Sequence, residues 1–255
     1  MIILLFILFL ILYLLLKKIE NFNVINESSL IDYIVIHMKN SDIRKKNIDE
    51  QTEILNIKIN IFDAIIGKNI KNVNDYDKNI KLNYKFNSPG ELGCYLSHLM
   101  IIKNAITSKK KYTVIFEDDF TILSKDLNNE ILNIIQKVNN NFDIIYLGNN
   151  YESKSEQIID NIYKNNKLIP LLGIHGYLIN NKNAKKIYNN LLNIKRPIDW
   201  QFNQLINNNK LVCFVIYPSI IIQNNNYKSD LRPQYKILLR NIIQKVGKIF
   251  SMITD

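Results

Sequence analysis

A strand that ends in three acids is the feature that most restricts how this chain can fold. Residues 112–116 (YTVIF) have the apolar character of a short buried strand, and Glu117, Asp118 and Asp119 follow without a break before apolar residues resume at Phe120. Three carboxylates between apolar flanks repel one another and lose hydration, which is unfavourable unless a cation lies among them. The motif therefore predicts a bound cation where this strand ends.

Strand-like and helix-like segments alternate along the chain around this motif. Strands are predicted at residues 30–38, 56–67, 112–116, 142–148, 171–179 and 211–217, and helices from Ser41 and at 88–106, 127–138, 181–192 and 199–206. Such alternation is typical of an α/β domain with a mostly parallel central sheet. Because ligands of these sheets collect at the carboxyl ends of the strands, we expect the three acids to lie in the ligand-binding crevice.

The spacing of the three acids favours a divalent metal ion. In an extended chain, Glu117 and Asp119 point to one side and Asp118 points to the other. A pair of carboxylates suits a hard cation with oxygen ligands, which commonly also contacts phosphate groups. A solvated acidic turn is the alternative that the motif alone leaves open.

The positive charge of the chain does not indicate a nucleic-acid-binding protein. The formal net charge is +10, but the lysines are scattered, and the sequence contains no helix-turn-helix, zinc-finger or RNA-binding motif. The two cysteines, Cys94 and Cys213, give neither a disulfide framework nor a structural zinc site, and their apolar contexts indicate small core residues. We therefore expect no nucleic-acid partner.

The two ends of the chain have a composition that suggests contact with a membrane. The first 16 residues are uncharged, and as a helix they would cover about 24 Å of the ~30 Å hydrocarbon core. They lack the basic start and cleavage site of a signal peptide, so we predict an uncleaved single-pass anchor whose side of the membrane is left open. The expected organisation is an anchor at 1–18, a short stem at 19–30, the main domain at 31–232 and a basic amphipathic tail at 233–255. The tail either lies on the membrane or packs on the domain.

Eight sequence segments occur along the chain in a specific order, although each segment alone is a weak signal. They are YIVIHMKNSDIRKKNI (33–48), FDAIIG (62–67), SPGELGCYLSHLMIIKNA (88–105), VIFEDDF (114–120), FDIIYLG (142–148), GIHGYLINNKNAKKI (173–187), RPIDWQF (196–202) and IIIQNNNYKSDLR (220–232). In these segments the sequence resembles glycosyltransferase family 25, the lipopolysaccharide and collagen β-galactosyltransferase type. Two positions depart from the family pattern: His37 stands where Asn is usual, and Lys103 stands where an aromatic residue is common.

The resemblance implies a GT-A type, Rossmann-like domain that transfers galactose or glucose from a UDP-sugar with inversion. The implied acceptor is a hydroxyl of a glycan, a lipopolysaccharide or a hydroxylysine-type protein. The implied metal is Mn²⁺ or another divalent cation, which would neutralise the charge that develops on the diphosphate leaving group. Two other functions stay open: a membrane-tethered protein that binds nucleotide-sugars without catalysis, and a metal-dependent phosphotransferase.

The resemblance also assigns roles to individual residues. The metal ligands are expected to be Glu117, Asp119 and His175. The residues expected around the donor are His37, Arg44, Ser97, His98, Glu117, Asp118 and His175.

An inverting transfer needs a general base, and we expect Asp199 in this role, with Asp230 as the second catalytic candidate. Structural roles are the alternatives. Arg44 could cap its helix, Ser97 and His98 could be buried structural residues, and Asp199 could be the N-cap of the helix that it begins.

Overall fold

An eight-stranded mixed sheet organises the chain. The structure, a computed structural model, describes residues 9–13, 30–55, 57–149, 156–165, 170–224 and 227. The strands of the sheet are β1 (Ile31–His37), β2 (Ile59–Asp63), β4 (Tyr112–Glu117), β6 (Ile144–Gly148), β7 (Gln157–Ile159), β8 (Ile162–Lys164), β9 (Gly176–Asn180) and β11 (Cys213–Ile216). Their spatial order is β2-β1-β4-β9-β6-β11-β8-β7.

Most of these strands run in one direction. Parallel pairing joins β2 to β1, β1 to β4 and β6 to β11. The strand β9 lies antiparallel between β4 and β6, and β8 lies antiparallel between β11 and β7. Six of the eight strands therefore point the same way, so the prediction of a mixed α/β fold with a mostly parallel sheet is confirmed. The opposite direction of β8 and β9 was not predicted.

Helices cover both faces of the sheet. They are α1 (Asp42–Leu55), α2 (Pro89–Ala105), α3 (Leu127–Lys137), α4 (Ala184–Leu191) and α5 (Ile198–Asn207). Buried residues of α2, α4 and α5 join one apolar core, and buried residues of α1 and α3 join the other. Because successive side chains of a strand alternate between faces, Ile115 belongs to the first core and Val114 and Phe116 to the second. The result is a three-layer α/β/α domain.

The helix α2 begins where its sequence predicts. Ser88 is the N-cap, and its hydroxyl oxygen accepts a hydrogen bond from the backbone N–H of Glu91. Pro89 occupies the first turn, where its missing N–H needs no partner. The carboxylate of Glu91 accepts from the backbone N–H of Asn87, one residue before the cap, so the capping box is shifted by one position. This cap fixes the start of the helix that carries Cys94, Ser97 and His98.

Four short strands lie outside the main sheet in the described part of the chain. They are β3 (Lys81–Leu82) with β10 (Asn193–Ile194), and β5 (Phe120–Ile122) with β12 (Ile221–Gln223). β3 lies between β2 and α2, and its partner β10 lies between α4 and α5. The β5–β12 pair is antiparallel and joins Gln223 to Phe120, directly after the three acids. It brings a late part of the chain to the end of β4.

The expected membrane segments fall largely beyond what the structure describes. Of the anchor expected at 1–18, only residues 9–13 are described, and they are helical. Among the described residues, none of the helices has the length and apolar character needed to cross a bilayer. The stem at 19–30 is described only at residue 30, and the tail at 233–255 lies outside the described residues.

Candidate functional site

The site lies at one edge of the central sheet, where β1 and β4 end. Ile36 pairs with Glu117, so the last residue of β1, His37, lies beside the first acid. The antiparallel strand β9 begins at the same edge, where Gly176 pairs with Phe116. The acids therefore lie at the carboxyl ends of adjacent strands, as the sequence predicted.

Asp118 is held by residues of β1 and α1. Its carboxylate lies 3.0 Å from Nδ1 of His37 and accepts a hydrogen bond of 3.4 Å from the backbone N–H of Met38. The guanidinium of Arg44 donates to the other carboxylate oxygen. His37 and Arg44 were predicted to contact a donor, and here both hold Asp118. Arg44 follows the helix start at Asp42 and does not act as the cap that was its alternative.

Asp119 is a buried carboxylate whose negative charge is only partly balanced by its neighbours. Its Oδ2 accepts a hydrogen bond from the side-chain amide of Gln223 at 3.0 Å and lies 3.6 Å from Nη1 of Arg44. Its Oδ1 is buried and has no hydrogen-bond partner among the described residues. Burial and the charge of Glu117 raise the pKa of this carboxyl from 3.8 to about 7, although Gln223 and Arg44 act in the opposite direction. This position therefore favours an additional cation.

The turn between β4 and β5 is braced by a residue that sequence reasoning missed. The side-chain amide of Asn47, on α1, donates to the backbone carbonyls of Asp118 at 3.3 Å and Phe120 at 2.8 Å. The backbone N–H of Asn224 donates to the carbonyl of Asp119 at 2.7 Å. The acids thus lie in a turn whose backbone is held from two sides. The sequence signal for this role is an Asn within a helix rich in charged residues.

Glu117 faces the other layer, toward α2. Its Oε1 lies 3.7 Å from Nε2 of His98 and 4.0 Å from Sγ of Cys94. His98 is fully buried, and its Nδ1 lies 2.9 Å from the hydroxyl of Tyr177 on β9. Burial lowers the pKa of His98 to about 3, with the charge of Asp199 opposing this effect, so the imidazole is neutral at neutral pH.

Cys94 packs against the apolar core, as the sequence indicated, and it also contacts the first of the three acids. Its thiol borders Glu117, and burial raises its pKa, as do the charges of nearby acids, with Glu117 and Asp199 the largest contributors. The signal that could have identified it is the spacing Cys-x₃-His, which places Cys94 and His98 on one face of a helix.

Ser97 fixes the loop after β2. Its hydroxyl donates to the carbonyl of Gly93 at 2.8 Å and accepts from the backbone N–H of Ile65 at 2.9 Å. A Cβ atom at Gly93 would lie 2.2 Å from the carbonyl oxygen of Ile65, so only glycine permits this approach of loop and helix. The donor-binding role expected for Ser97 stays a prediction, and the contacts of its hydroxyl are structural.

Asp199 lies in the first turn of α5 and is not its N-cap. The N-cap is Pro197, and the Asp199 carboxylate accepts from the adjacent Trp200 N–H at 2.8 Å. The capping alternative for Asp199 is therefore wrong. Its charge reaches the site, because it contributes to raising the pKa of Cys94 and opposes the lowering of the pKa of His98. Asp230, the second catalytic candidate, lies outside the described residues.

The three expected metal ligands are not gathered into one cluster. The alternation of side chains expected for Glu117 and Asp119 fails because residues 118 and 119 form a turn and do not continue the strand. His175 is buried, and its backbone carbonyl accepts from the Glu117 N–H at 3.1 Å. Among the described residues, the group of His, Cys and acidic side chains whose ligand atoms all lie within 4.8 Å of one another is Cys94, His98 and Glu117.

Comparisons with known proteins identify the family. The profile of "Glycosyltransferase family 25 (LPS biosynthesis protein)" matches residues 31–202. Two Xenopus laevis relatives are similar in sequence: procollagen galactosyltransferase 1-A is 26% identical over 179 residues, and procollagen galactosyltransferase 1-B is 26% identical over 133 residues. These matches cover 64% and 48% of this chain but only 29% and 22% of the relatives. The chain therefore spans less than a third of the length of these curated relatives.

The similarity to solved structures is weaker than the similarity to the family profile. A glycosyltransferase described as involved in the glycosylation of the major capsid of PBCV-1 is similar over 74% of this chain and 92% of its own, with 8% identity and a TM-score of 0.37. A likeness at this score carries no argument about the fold or the function. The profile match covers more than half of the chain and includes β1, β4, the three acids and Asp199, so this chain belongs to glycosyltransferase family 25.

Proposed function

We propose that this glycosyltransferase uses a divalent cation, Mn²⁺ by family resemblance, to transfer a hexose from a UDP-sugar with inversion. The donor sugar is galactose or glucose, and the acceptor is a hydroxyl of a glycan, a lipopolysaccharide or a hydroxylysine-type protein. The domain is of the GT-A type. The observation that carries the proposal is Asp119, a buried carboxylate with one unsatisfied oxygen, beside Glu117 at the carboxyl edge of the sheet.

The charges at this edge support a divalent cation. In the described part of the chain, the guanidinium of Arg44 contacts Asp118 and lies 3.6 Å from Asp119. One oxygen of Asp119 still has no hydrogen-bond partner there, and a buried acid whose charge is incompletely balanced is unfavourable. Asp119 fits the role of a carboxylate ligand because Asp118 already has partners in His37 and Arg44, and Glu117 would join it by turning its side chain, which is 25% exposed, away from His98. A bound Mn²⁺ would supply charge neutralisation for the diphosphate leaving group.

The chain's own residues have separate tasks in this proposal. Arg44 and His37 orient Asp118, and Asn47 holds the turn that carries both aspartates. Asp199 takes the proton of the acceptor hydroxyl, since the other acids are committed to cations. It lies on α5, in the helix layer opposite α1 and Arg44.

The test is a product analysis with the full-length protein purified in detergent. After treatment with EDTA, the protein is incubated with a panel of UDP-sugars, with and without Mn²⁺, and released nucleotide is separated by chromatography. We expect Mn²⁺-dependent release of UDP from UDP-galactose or UDP-glucose, and its loss in Asp119→Asn. Retained Mn²⁺-dependent turnover in Asp119→Asn would overturn the proposal.

The same assay separates the two other functions. A phosphotransferase would cleave the pyrophosphate and release UMP, whereas a binding protein would retain the UDP-sugar without releasing nucleotide. Transfer to glycan, lipopolysaccharide and hydroxylysine-peptide acceptors identifies the acceptor class. The anomeric configuration of the product, read from its proton coupling by NMR, tests inversion.

A further inference from the structure

Cys94, His98 and Glu117 form a group that the proposed transfer does not use as a unit. Cys94 and His98 are four residues apart on α2, so their side chains lie one above the other on the same face. Glu117 ends β4 opposite that face, with Oε1 at 3.7 Å from Nε2 of His98 and 4.0 Å from Sγ of Cys94. All three ligand atoms lie within 4.8 Å of one another.

The imidazole of His98 points into this group with a polar atom that has no hydrogen bond. His98 is 0% exposed, and its Nε2 lacks a hydrogen-bond partner within the described part of the chain. Buried polar atoms of this kind are rare in native proteins and call for an explanation. The other ring nitrogen lies 2.9 Å from the Tyr177 hydroxyl, which fixes the orientation of the ring. This arrangement is typical of a metal-binding histidine, whose second nitrogen contacts a polar partner.

We propose that Cys94, His98 and Glu117 bind Zn²⁺, or another borderline-soft divalent cation, at a site that shares Glu117 with the proposed hard-cation site of the donor. A thiolate, a neutral imidazole and a carboxylate are three usual zinc ligands, and the two anionic ones balance the charge of the ion. Binding releases the proton of the Cys94 thiol to solvent. The neutral imidazole of His98 then carries its proton on Nδ1 and donates a hydrogen bond to the Tyr177 hydroxyl.

Coordination requires the ligand atoms of Cys94 and His98, which lie within 4.8 Å of each other, to approach by up to about 1 Å, and those of the two Glu117 contacts by less. Tetrahedral coordination at ~2.0–2.3 Å sets neighbouring ligand atoms roughly 3.3–3.6 Å apart, a few tenths of an ångström closer than the observed 3.7 and 4.0 Å. Cys94 is half-buried and the side chain of Glu117 is 25% exposed, so an ion can enter from solvent. Three protein ligands leave a fourth position open to water.

Sharing Glu117 makes the two cations mutually exclusive. Zn²⁺ bound to Glu117 removes one of the two carboxylates proposed for the donor's cation, so Zn²⁺ is expected to inhibit Mn²⁺-dependent transfer. The inhibition rests on the proposed function, whereas the binding of Zn²⁺ does not. The two parts can therefore fail independently.

Binding is tested with the EDTA-treated, desalted full-length protein under reducing conditions. Zn²⁺ is titrated against a chromophoric chelator, and Co²⁺ is added separately to look for a thiolate–cobalt charge-transfer band. We expect one bound ion per chain and, with Co²⁺, the thiolate–cobalt charge-transfer band. Cys94→Ser and Cys94→Ala should lose the band and weaken Zn²⁺ binding by ~100-fold or more, and Tyr177→Phe should weaken it about 10-fold. Circular dichroism checks that each variant is folded.

Two matched controls isolate the site. Cys213→Ser changes the second cysteine of the chain, which is buried on β11, and should keep both the band and the affinity. Asp119→Asn should keep Zn²⁺ binding while it loses Mn²⁺-dependent transfer. The wild-type protein without a thiolate–cobalt band, or a folded Cys94→Ser protein with unchanged Zn²⁺ affinity, would overturn the proposal.

The inhibition has its own readout. In the transfer assay, half-maximal inhibition of Cys94→Ser should need at least about tenfold more Zn²⁺ than inhibition of the wild type. Equal inhibition of both proteins would refute the shared role of Glu117. Zn²⁺ binding without any transfer would support the zinc site and contradict the proposed function. Transfer without Zn²⁺ binding would support the proposed function and contradict the zinc site.

Discussion

Replacing Asp119 by asparagine should stabilise the metal-free protein while it abolishes transfer. The acidic motif alone predicts a loss of activity with little change in stability. The structure changes this expectation, because Asp119 is buried and lies beside the charge of Glu117. Asparagine has nearly the same size but carries no charge, so it removes both the desolvation of the carboxylate and its repulsion by Glu117.

The pKa of Asp119 gives the sign and the size of the effect. The pKa is raised from 3.8 in the unfolded chain to about 7 in the folded protein. Between these values the folded protein keeps a proton that the unfolded chain has lost, so this group's contribution to stability becomes more unfavourable as the pH rises and levels off above about pH 7. A pKa raised by about 3 corresponds to about 4 kcal/mol. Weaker contacts to Arg44 and Gln223 in the variant reduce the expected gain to about 1–3 kcal/mol at pH 8.

The assay is urea denaturation of the full-length protein in EDTA, followed by circular dichroism at pH 5 and pH 8. Asp119→Asn should gain stability at pH 8 and less than half as much at pH 5. The control is Asp49→Asn, an exposed acid on α1, which should change stability by about 0.5 kcal/mol or less at either pH. Added Mn²⁺ should stabilise the wild type more than the variant. A variant that is less stable than the wild type at pH 8 without metal would refute the reasoning.

Three further predictions concern the base, the turn and the anchor. Asp199→Asn should lower the transfer rate by ~10²-fold or more while UDP-sugar binding persists; a wild-type rate would move the role to Asp230. Asn47→Ala leaves two buried carbonyls of the acidic turn without their donor and should lower the unfolding free energy by about 1–3 kcal/mol in urea titrations; no measurable loss would contradict the bracing role. We propose that residues 1–18 anchor the protein, so the full chain should stay with membranes after alkaline extraction and a chain without them should be released; release of the full chain would contradict the anchor.

The sequence predicts the centre of the fold better than its edges. Runs such as residues 112–116 and 142–148 are apolar enough to identify buried strands, and the cap at Ser88 identifies the start of α2. The strands β7 and β8 have three residues each. They pair with each other, and β8 is held in the sheet by pairing with the distant β11, which local composition does not record. The direction of β9 likewise depends on tertiary pairing, since an apolar strand has the same pattern in either direction.

The location of the site was predicted from the sequence, but the directions of its side chains were not. The end of β4 identified the edge of the sheet where the acids lie. Their division between two layers could not be deduced, because the turn at residues 118–119 depends on contacts with Asn47 and Asn224. Cys94 was overlooked because an isolated cysteine in an apolar helix usually packs in the core, and its neighbour Glu117 is 23 residues away in the sequence.

The pairing of β5 with β12 means that the part of this chain matched by the family profile is shorter than the part that completes the site. The family profile ends at residue 202, yet Gln223 and Asn224, which hold Asp119 by its side chain and its backbone, lie beyond that point. A fragment cut at the profile boundary would also lose β11 from the sheet. Such a fragment would keep all three acids, but Asp119 would lose its hydrogen bonds to Gln223 and Asn224.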